Sequence, residues 1–255
     1  MGLVRILLFL QVSLSAALIL LGSIVEAYGY GLSLGTSWPY RSDILRLAAR
    51  GDPEAWHRIT AAILGLNAVA LALLLRSVDA LSGLALSAAT ALLGVATLNV
   101  LAGKAPAFLH GLHAILAYCT LGSYVLQASA GSPGVWRFVA TSGPLHAFLL
   151  AVFLGALVTG SRGFKAPLGS FVLPRSRGQL AFAAHFVGWL LVVITAAWLL
   201  PRGNVMLILA LLQGAAGFLL YQSVNKSPAQ PGIVTVLHEG MALLILFSLV
   251  FAWRF

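Results

Sequence analysis

Residues 51–76, GDPEAWHRITAAILGLNAVALALLLR, place an acid, an imidazole and a guanidinium directly before a long apolar run. Glu54, His57 and Arg58 supply these groups, and the run that follows them holds no charged residue until its last position. A helix that crosses the hydrocarbon core of a bilayer needs about 20 mostly apolar residues. The stretch therefore predicts a membrane-spanning helix over 56–76 with ionisable groups near its start.

Seven further runs of this kind indicate an all-α integral membrane protein. The 255 residues are 60% hydrophobic and 8% charged, which is far from the composition of soluble domains. The strict alternation that marks a membrane β-barrel strand is absent. The longest segment between spans, 28–55, is expected to hold a short interfacial helix that ends at Gly51. The eight expected spans are 4–27, 56–76, 80–102, 107–129, 140–160, 179–200, 203–222 and 233–254.

The formal charge of +9 comes from basic residues scattered over short loops rather than gathered on one polar face. This distribution argues against nucleic acid as a partner and favours a membrane surface or the anionic groups of a ligand. The one cysteine, Cys119, lies inside an apolar run, so an intramolecular disulfide is excluded and a packing role is the ordinary interpretation.

The two halves of the chain resemble each other. GSIVEAYGYG (22–31) leaves the first span and GALVTGSRGF (155–164) leaves the fifth, and each precedes a polar loop and a span with a histidine near its start. Four spans preserve the direction of the chain, so we expect a parallel 4+4 repeat of two pseudo-symmetric four-helix bundles. The halves are 1–129 and 130–255, joined by the turn-rich segment ASAGSPGVW (128–136).

Five of the six histidines sort to one membrane face, because spans of even number all begin on the same side. Four of them occupy matching places in the two halves, and intramembrane ionisable residues are usually functional. Neutral imidazoles can hold haem iron from both sides inside a helix bundle, whereas zinc would lack thiolate and most carboxylate ligands. His146 falls at the opposite face. The five are His57, His110, His113, His185 and His238.

Two details of the first half remain open at this stage. His110 and His113 lie one turn apart on one helix face, so spacing alone leaves either as the ligand. Glu54 precedes His57 by three residues and could orient the imidazole, take a proton or stabilise positive charge on a substrate. Ordinary first-turn placement of an acid explains Glu54 equally well. The second half has Gln179 and no acid before His185.

Several stretches, taken in order, resemble the heme A synthase family of cytochrome oxidase assembly over nearly the whole chain. They combine Glu-x-x-His-Arg, LGALVTGS and QGAAG at the helices where that family has them. The stretches are GSIVEAYGYGLSLGTSWP (22–39), EAWHRITAAILG (54–65), NVLAGKAPAFLHGLHAILA (99–117), LGALVTGSRG (154–163), LAFAAHFVGWLL (180–191), LLQGAAGFLLYQSV (211–224) and VLHEGMALL (236–244).

The resemblance implies an oxidoreductase that oxidises the C8 methyl of heme O to the formyl group of heme A by successive hydroxylations. It assigns His185 and His238 as axial ligands of one resident haem b in the second half. It assigns His57 and His113 to the substrate haem, with Glu54 placed for catalysis. Heme O synthase and the terminal oxidase are the implied protein partners, while the electron acceptor and a homo-oligomeric state stay open.

The chain departs from the family in its first outer loop. Many members have a cysteine pair there, and GLSLGTSWPY (31–40) has none, so a thiol step is excluded at that site. His113 matches the family histidine better than His110, although Pro106 lies one residue further back than the family pattern expects.

The family orientation places the protein in the plasma membrane, with the N-terminus in the cytoplasm and the histidine-rich face outside. Five Lys and Arg then lie inside: Arg5, Arg76, Arg137, Arg202 and Arg254. Ten lie outside, against the positive-inside tendency. Pairing of outer cations with haem propionates would resolve this, and Arg58 is a candidate. The ten are Arg41, Arg46, Arg50, Arg58, Lys104, Arg162, Lys165, Arg175, Arg177 and Lys226.

Two other functions compete with the enzyme. A di-haem b-type electron carrier would explain four histidines equally well but leaves Glu54 and the family stretches without a role. A repeat transporter with histidines in a proton path would require Gly or Pro breaks in the middle of corresponding spans, and none is present.

Overall fold

The computed structural model describes residues 2–37, 42–129, 134–199 and 204–252. All regular secondary structure within these ranges is helical, in ten helices. They are α1 (Gly2–Ala27), α2 (Ile44–Ala49), α3 (Pro53–Leu75), α4 (Val78–Leu101), α5 (Phe108–Ala128), α6 (Val135–Thr141), α7 (Gly143–Ser161), α8 (Arg177–Trp198), α9 (Asn204–Lys226) and α10 (Ile233–Ala252).

Eight of these helices are long and apolar enough to cross a bilayer, which confirms the all-α multi-pass membrane class and the number of spans. They run for 19 to 26 residues, and every expected span overlaps one of them. The predicted spans and the observed helices differ mainly in where they begin and end. α3 begins three residues earlier than predicted, at Pro53, and α9 continues beyond the predicted end of its span to Lys226.

Side-chain caps explain where four of the spans begin. Asp52, Ser77, Ser142 and Ser176 each accept a hydrogen bond of 3.0–3.3 Å from a first-turn backbone N–H of α3, α4, α7 and α8. Proline at the first position of α3 is compatible with this start because its missing N–H would be unpaired there anyway. The cap at Asp52 is thus the reason that α3 includes Glu54.

The two short helices differ in how well the sequence anticipates them. α2 is a short helix in the segment where an interfacial helix was predicted, and Gly51 follows it in the left-handed region, at φ +85°. α6 was not expected, since Val135 and Trp136 fall in the predicted connector. Residues 130–133 of that connector lie outside the described residues. α6 stops at Ser142, whose side chain caps α7, and the fifth span therefore begins later than expected.

Within 2–129, α1 packs on α3, α3 on α4, α4 on α5, and α1 also on α5. Within 134–252, α7 packs on α8, α8 on α9, α9 on α10, and α7 also on α10. The two groups meet where α5 contacts α7 and α10, and where α1 contacts α10. The largest apolar cluster lies along this junction and includes Tyr118, Leu121, Phe148 and Leu246.

Polar bonds also cross this junction, which we call the central seam, formed by α1, α5, α7 and α10. The Tyr118 hydroxyl donates to the Glu239 carboxylate at 2.9 Å, and the Thr159 hydroxyl donates to Glu26 at 3.0 Å. Both acids lie within spanning helices, Glu26 in α1 and Glu239 in α10. The hydrogen bonds give their carboxylates partners inside the bundle, where an unpaired carboxylate would be costly in free energy.

Candidate functional site

Each of four histidines lies against a glycine on the preceding spanning helix. The pairs are His57 with Gly22, His113 with Gly94, His185 with Gly155, and His238 with Gly217. A methyl group added at these glycines would lie 3.4, 3.4, 3.0 and 3.3 Å from the imidazole Cε1. Since any side chain there would compete with the ring for space, the absent Cβ lets the edge of the imidazole approach the neighbouring helix closely.

Backbone carbonyls one turn before these glycines orient the rings. His113 Nδ1 is 3.0 Å from the Thr90 carbonyl oxygen, and His185 Nδ1 is 2.9 Å from that of Ala151. A carbonyl only accepts, so Nδ1 carries the proton and Nε2 keeps its lone pair. An imidazole held in this way is the form that binds a metal through Nε2.

The other two histidines follow the same arrangement less completely. His57 faces the carbonyl of Leu18, four residues before Gly22, but its Nδ1 makes no hydrogen bond of standard geometry. His238 Nδ1 is also buried without a partner, and its Nε2 lies 3.1 Å from the amide nitrogen of Gln213. Gln213 would have to turn aside before a metal could bind His238 at that nitrogen.

The second histidine pair has the spacing that two axial ligands need. The rings of His185 and His238 have centroids 6.3 Å apart with an interplanar angle of 70°. Two metal–nitrogen bonds of about 2 Å and two half-rings of about 1 Å span about 6 Å. The residues therefore fit a metal held between two imidazoles, as in a b-type haem.

The first histidine pair is flanked by a third imidazole. His57 and His113 are close enough to interact electrostatically, and so are His110 and His113. His110 packs edge-on against Phe164, with ring centroids 4.9 Å apart, and its Nδ1 is buried without a hydrogen-bond partner. His113 faces a glycine as the other three histidines do, and its Nδ1 bonds a carbonyl as that of His185 does. Among the described residues, His110 has neither contact.

Glu54 is buried at 4% exposure and is held on both carboxylate oxygens. Oε1 pairs with Arg58, while Oε2 accepts from the Ser33 hydroxyl at 2.9 Å and from the Leu34 N–H at 3.0 Å. Arg58 also donates to the carbonyls of Gly35 and Ser37. The first turn of α3 thus fastens the loop after α1, and we call this network of Ser33, Leu34, Glu54 and Arg58 the loop clamp.

The motif QGAAG, residues 213–217, has a contact for three of its five members. Gln213 bonds His238, Gly217 faces the same ring, and Gly214 makes room for the Trp189 indole, whose N–H donates to the Ala210 carbonyl at 2.7 Å. A methyl group at Gly214 would lie 2.4 Å from that indole, so the close approach requires glycine.

The remaining ionisable groups of the described residues are divided between the two ends of the molecule. Nine of the ten cations assigned to the histidine end are described, and Arg41, Arg202 and Arg254 lie outside the described residues. Burial lowers the pKa of the Arg162 guanidinium, and the Glu26 carboxylate opposes this effect. His146 is exposed at the start of α7, at the opposite end, and Cys119 is a free thiol partly buried in α5.

The predicted residues Glu54, His57, Arg58, His113, His185, His238 and His110 all lie at one end of the molecule. Reasoning from the sequence missed the four glycines, the carbonyls of Thr90 and Ala151, and Gln213. The glycines could have been predicted from one pattern in the sequence: each histidine-bearing span is preceded by a span with a glycine in its second half. Within the described residues, no three His, Cys, Asp or Glu side chains form a metal cluster.

Comparison with known families, with curated proteins and with solved structures finds no match for this chain.

Proposed function

We propose that the chain is an intramembrane oxidase that converts the C8 methyl group of heme O to the formyl group of heme A. Methyl to formyl is two successive two-electron oxidations of one carbon, with an alcohol between them. One observation carries the proposal: two imidazole pairs lie near one end of the helix bundle, each ring against a glycine of the neighbouring helix. Such pairs suit flat iron macrocycles held within helix bundles.

The proposal includes a parallel 4+4 repeat, with halves 1–129 and 130–255. Its support is that helix contacts recur: α1 packs on α3 as α7 packs on α8, and α4 packs on α5 as α9 packs on α10. Each of the four histidines also faces a glycine on the helix before it. Two independent bundles with unrelated origins would have no reason to share both features.

In the second half, His185 and His238 would hold the resident haem b through their Nε2 atoms. A bound haem of this kind supplies one-electron transfer. The Ala151 carbonyl holds the Nδ1 proton of His185, which fixes the ring and strengthens the Nε2 donor. The apolar surroundings, including the Trp189 indole packed on Gly214, keep water from the site.

In the first half, His57 and His113 would bind heme O as substrate. Glu54 lies one turn before His57, so its negative charge would stabilise positive charge that develops on the substrate or accept the proton that leaves it. Arg58 pairs with the Glu54 carboxylate and would balance that charge before the reaction. Electrons would pass to the second half and on to an acceptor outside this chain.

This activity would put the protein in the plasma membrane, with heme O synthase as the source of its substrate and the terminal oxidase as the user of its product. The proposed orientation has the N-terminus in the cytoplasm and the histidine end outside. A homo-oligomer is compatible with this arrangement, and the proposal does not depend on one.

One observation favours a second candidate, a di-haem b-type electron carrier. Both oxygens of Glu54 are engaged by Arg58, Ser33 and Leu34, which is what a purely structural carboxylate would show. A carrier would need only the two imidazole pairs and would leave heme O unchanged.

Co-expression of the chain with a heme O source separates these functions, with extracted haems analysed by chromatography. The oxidase predicts a formyl haem or its hydroxymethyl intermediate. Haem b alone, with bis-imidazole spectra and no conversion, would support the carrier instead. Absence of any bound haem would contradict both.

A further inference from the structure

We infer that His110 and Thr235 are matching carboxylate-binding positions, one for each macrocycle. His110 precedes His113 by three residues on α5, and Thr235 precedes His238 by three residues on α10. The inference rests on the proposed haem function and adds to it the residues that would receive the propionate side chains.

The two positions share an unusual property: each holds a buried polar atom without a hydrogen-bond partner. These atoms are Nδ1 of His110 and Oγ1 of Thr235. Buried polar atoms are nearly always paired, because an unpaired one costs as much as a lost hydrogen bond. Two such atoms at equivalent positions indicate that each half binds a ligand with a polar group that pairs with this atom.

The structure explains why the Thr235 hydroxyl is left over. A threonine inside a helix can donate to the carbonyl four residues earlier, but Thr235 is the third residue of α10 and that carbonyl, of Pro231, lies before the helix begins. The Ser223 hydroxyl donates to the Pro231 carbonyl instead. Thr235 is only 3% exposed, so water does not replace the missing acceptor.

His110 is fixed in place from the other side. Phe164, from the loop after α7, packs edge-on against its ring. Because His110 and His113 lie three residues apart, their rings project from the same side of α5. His110 is thus about 4.5 Å closer to the membrane surface than the ligand, by the rise of three helical residues.

These placements suit a carboxylate. Both residues lie in the first turn of a helix, where backbone N–H groups and the helix dipole favour an anion. A macrocycle held by the two histidines would direct its acidic edge toward the polar end of the bundle and its apolar edge toward the bilayer interior. The imidazole N–H and the hydroxyl are both donors that a propionate can accept from.

The test compares binding of haem with binding of its dimethyl ester, which has the same iron and ring but no free carboxylate. Two full-length parent proteins are used, each with one histidine pair removed. The variant with His57→Ala and His113→Ala reports on the site of the second half, and the variant with His185→Ala and His238→Ala reports on the site of the first half. Affinity is measured by absorbance titration in detergent. Each parent protein should prefer the free acid by at least about tenfold, the value of a charge-assisted hydrogen bond.

Thr235→Val keeps the shape of the side chain and removes the hydroxyl, so it should reduce this preference at least about threefold in the second half. Thr235→Ser should restore it, and Thr195→Val, on α8, should leave it unchanged. In the first half, His110→Phe should reduce the preference in the same way.

Equal loss of affinity for acid and ester in Thr235→Val and His110→Phe would overturn the inference, because packing would then be their role. An unchanged preference in both variants would overturn it as well. Failure of both parent proteins to bind either macrocycle would instead contradict the proposed haem function, on which the inference rests.

Discussion

At the scale of single residues, Glu54 could act in two ways: as a structural hydrogen-bond acceptor or as a negative charge near the substrate. Its carboxylate completes the loop clamp, which fastens the loop after α1 to the first turn of α3. It also supplies a negative charge one turn from His57. A clamp needs acceptor oxygens, whereas charge stabilisation needs the full negative charge, so conservative substitutions separate the two.

Glu54→Gln keeps one acceptor oxygen and removes the charge. We expect it to retain haem b in the second half and to lower heme O conversion at least about a hundredfold, the usual size of an acid–base or charge contribution. Conversion is measured by chromatography of extracted haems, and haem b by the absorbance of the purified protein.

Ser33→Ala is the matched control, because it removes a clamp hydrogen bond and keeps the Glu54 carboxylate in the chain. It should lower conversion by no more than about threefold. If Ser33→Ala abolished conversion as completely as Glu54→Gln, Glu54 would act by holding the loop, and the assigned charge role would be wrong.

Ionisable residues could be predicted from the sequence because they are rare in apolar runs, and all the predicted histidines do lie at one end. The atoms that orient them could not. Each glycine lies on a different helix from its histidine, from 19 positions away for Gly94 and His113 to 35 for Gly22 and His57. No fixed spacing links them, since loop lengths differ between spans.

At the scale of helices, the contact between α7 and α8 is where the ring has least room. A methyl group at Gly155 would lie 3.0 Å from His185 Cε1, closer than at the other three glycines. Substitution there tests whether the neighbouring helix determines ring orientation.

Gly155→Val should displace the His185 imidazole and weaken haem binding in the second half by about tenfold or more, since a metal ligand must be held within about half an ångström. The measurement is bound haem per chain, from absorbance of the purified protein. Gly65→Val on α3 is the control, because nothing lies within 4 Å of a side chain there, and it should bind haem normally. Full haem content in Gly155→Val would show that the ring tolerates the crowding.

Helix boundaries illustrate what apolar runs can and cannot predict. Hydrophobicity located all eight spans, but the start of α3 depends on the Asp52 cap, and α6 depends on its contacts with α4. Val135 N–H donates to Asp79 at 3.2 Å, and the Trp136 indole donates to Ser82 at 3.0 Å. These partners are more than 50 residues away, so a local pattern does not contain them.

At the scale of the whole molecule, the proposed orientation in the membrane conflicts with the positive-inside tendency. Among described residues, nine cations lie at the histidine end and three, Arg5, Arg76 and Arg137, at the other. Some of the nine serve local structure: Arg58 holds the loop clamp, and Arg162 donates to the carbonyls of Ala166 and Pro228. Cations bound in this way contribute less to a topology signal than free ones.

Cysteine labelling decides the orientation. Cys119→Ser removes the only cysteine of the sequence. In that background, Ser170→Cys places an exposed thiol at the histidine end, and Thr141→Cys places one at the opposite end. We expect a membrane-impermeant maleimide to label Ser170→Cys in intact cells and Thr141→Cys only after permeabilisation. The reverse labelling would place the histidine end in the cytoplasm, as the positive-inside tendency favours.

The pairing of each imidazole with a glycine on another helix has a consequence for biogenesis. A histidine ring is aimed only when its helix has docked correctly against the preceding one, so a misassembled pair presents no competent ligand. Haem incorporation would then act as quality control on membrane assembly, since it stabilises only chains in which both docking events are complete. The ratio of haem to polypeptide in a membrane extract would count correctly docked pairs, without any assay of turnover.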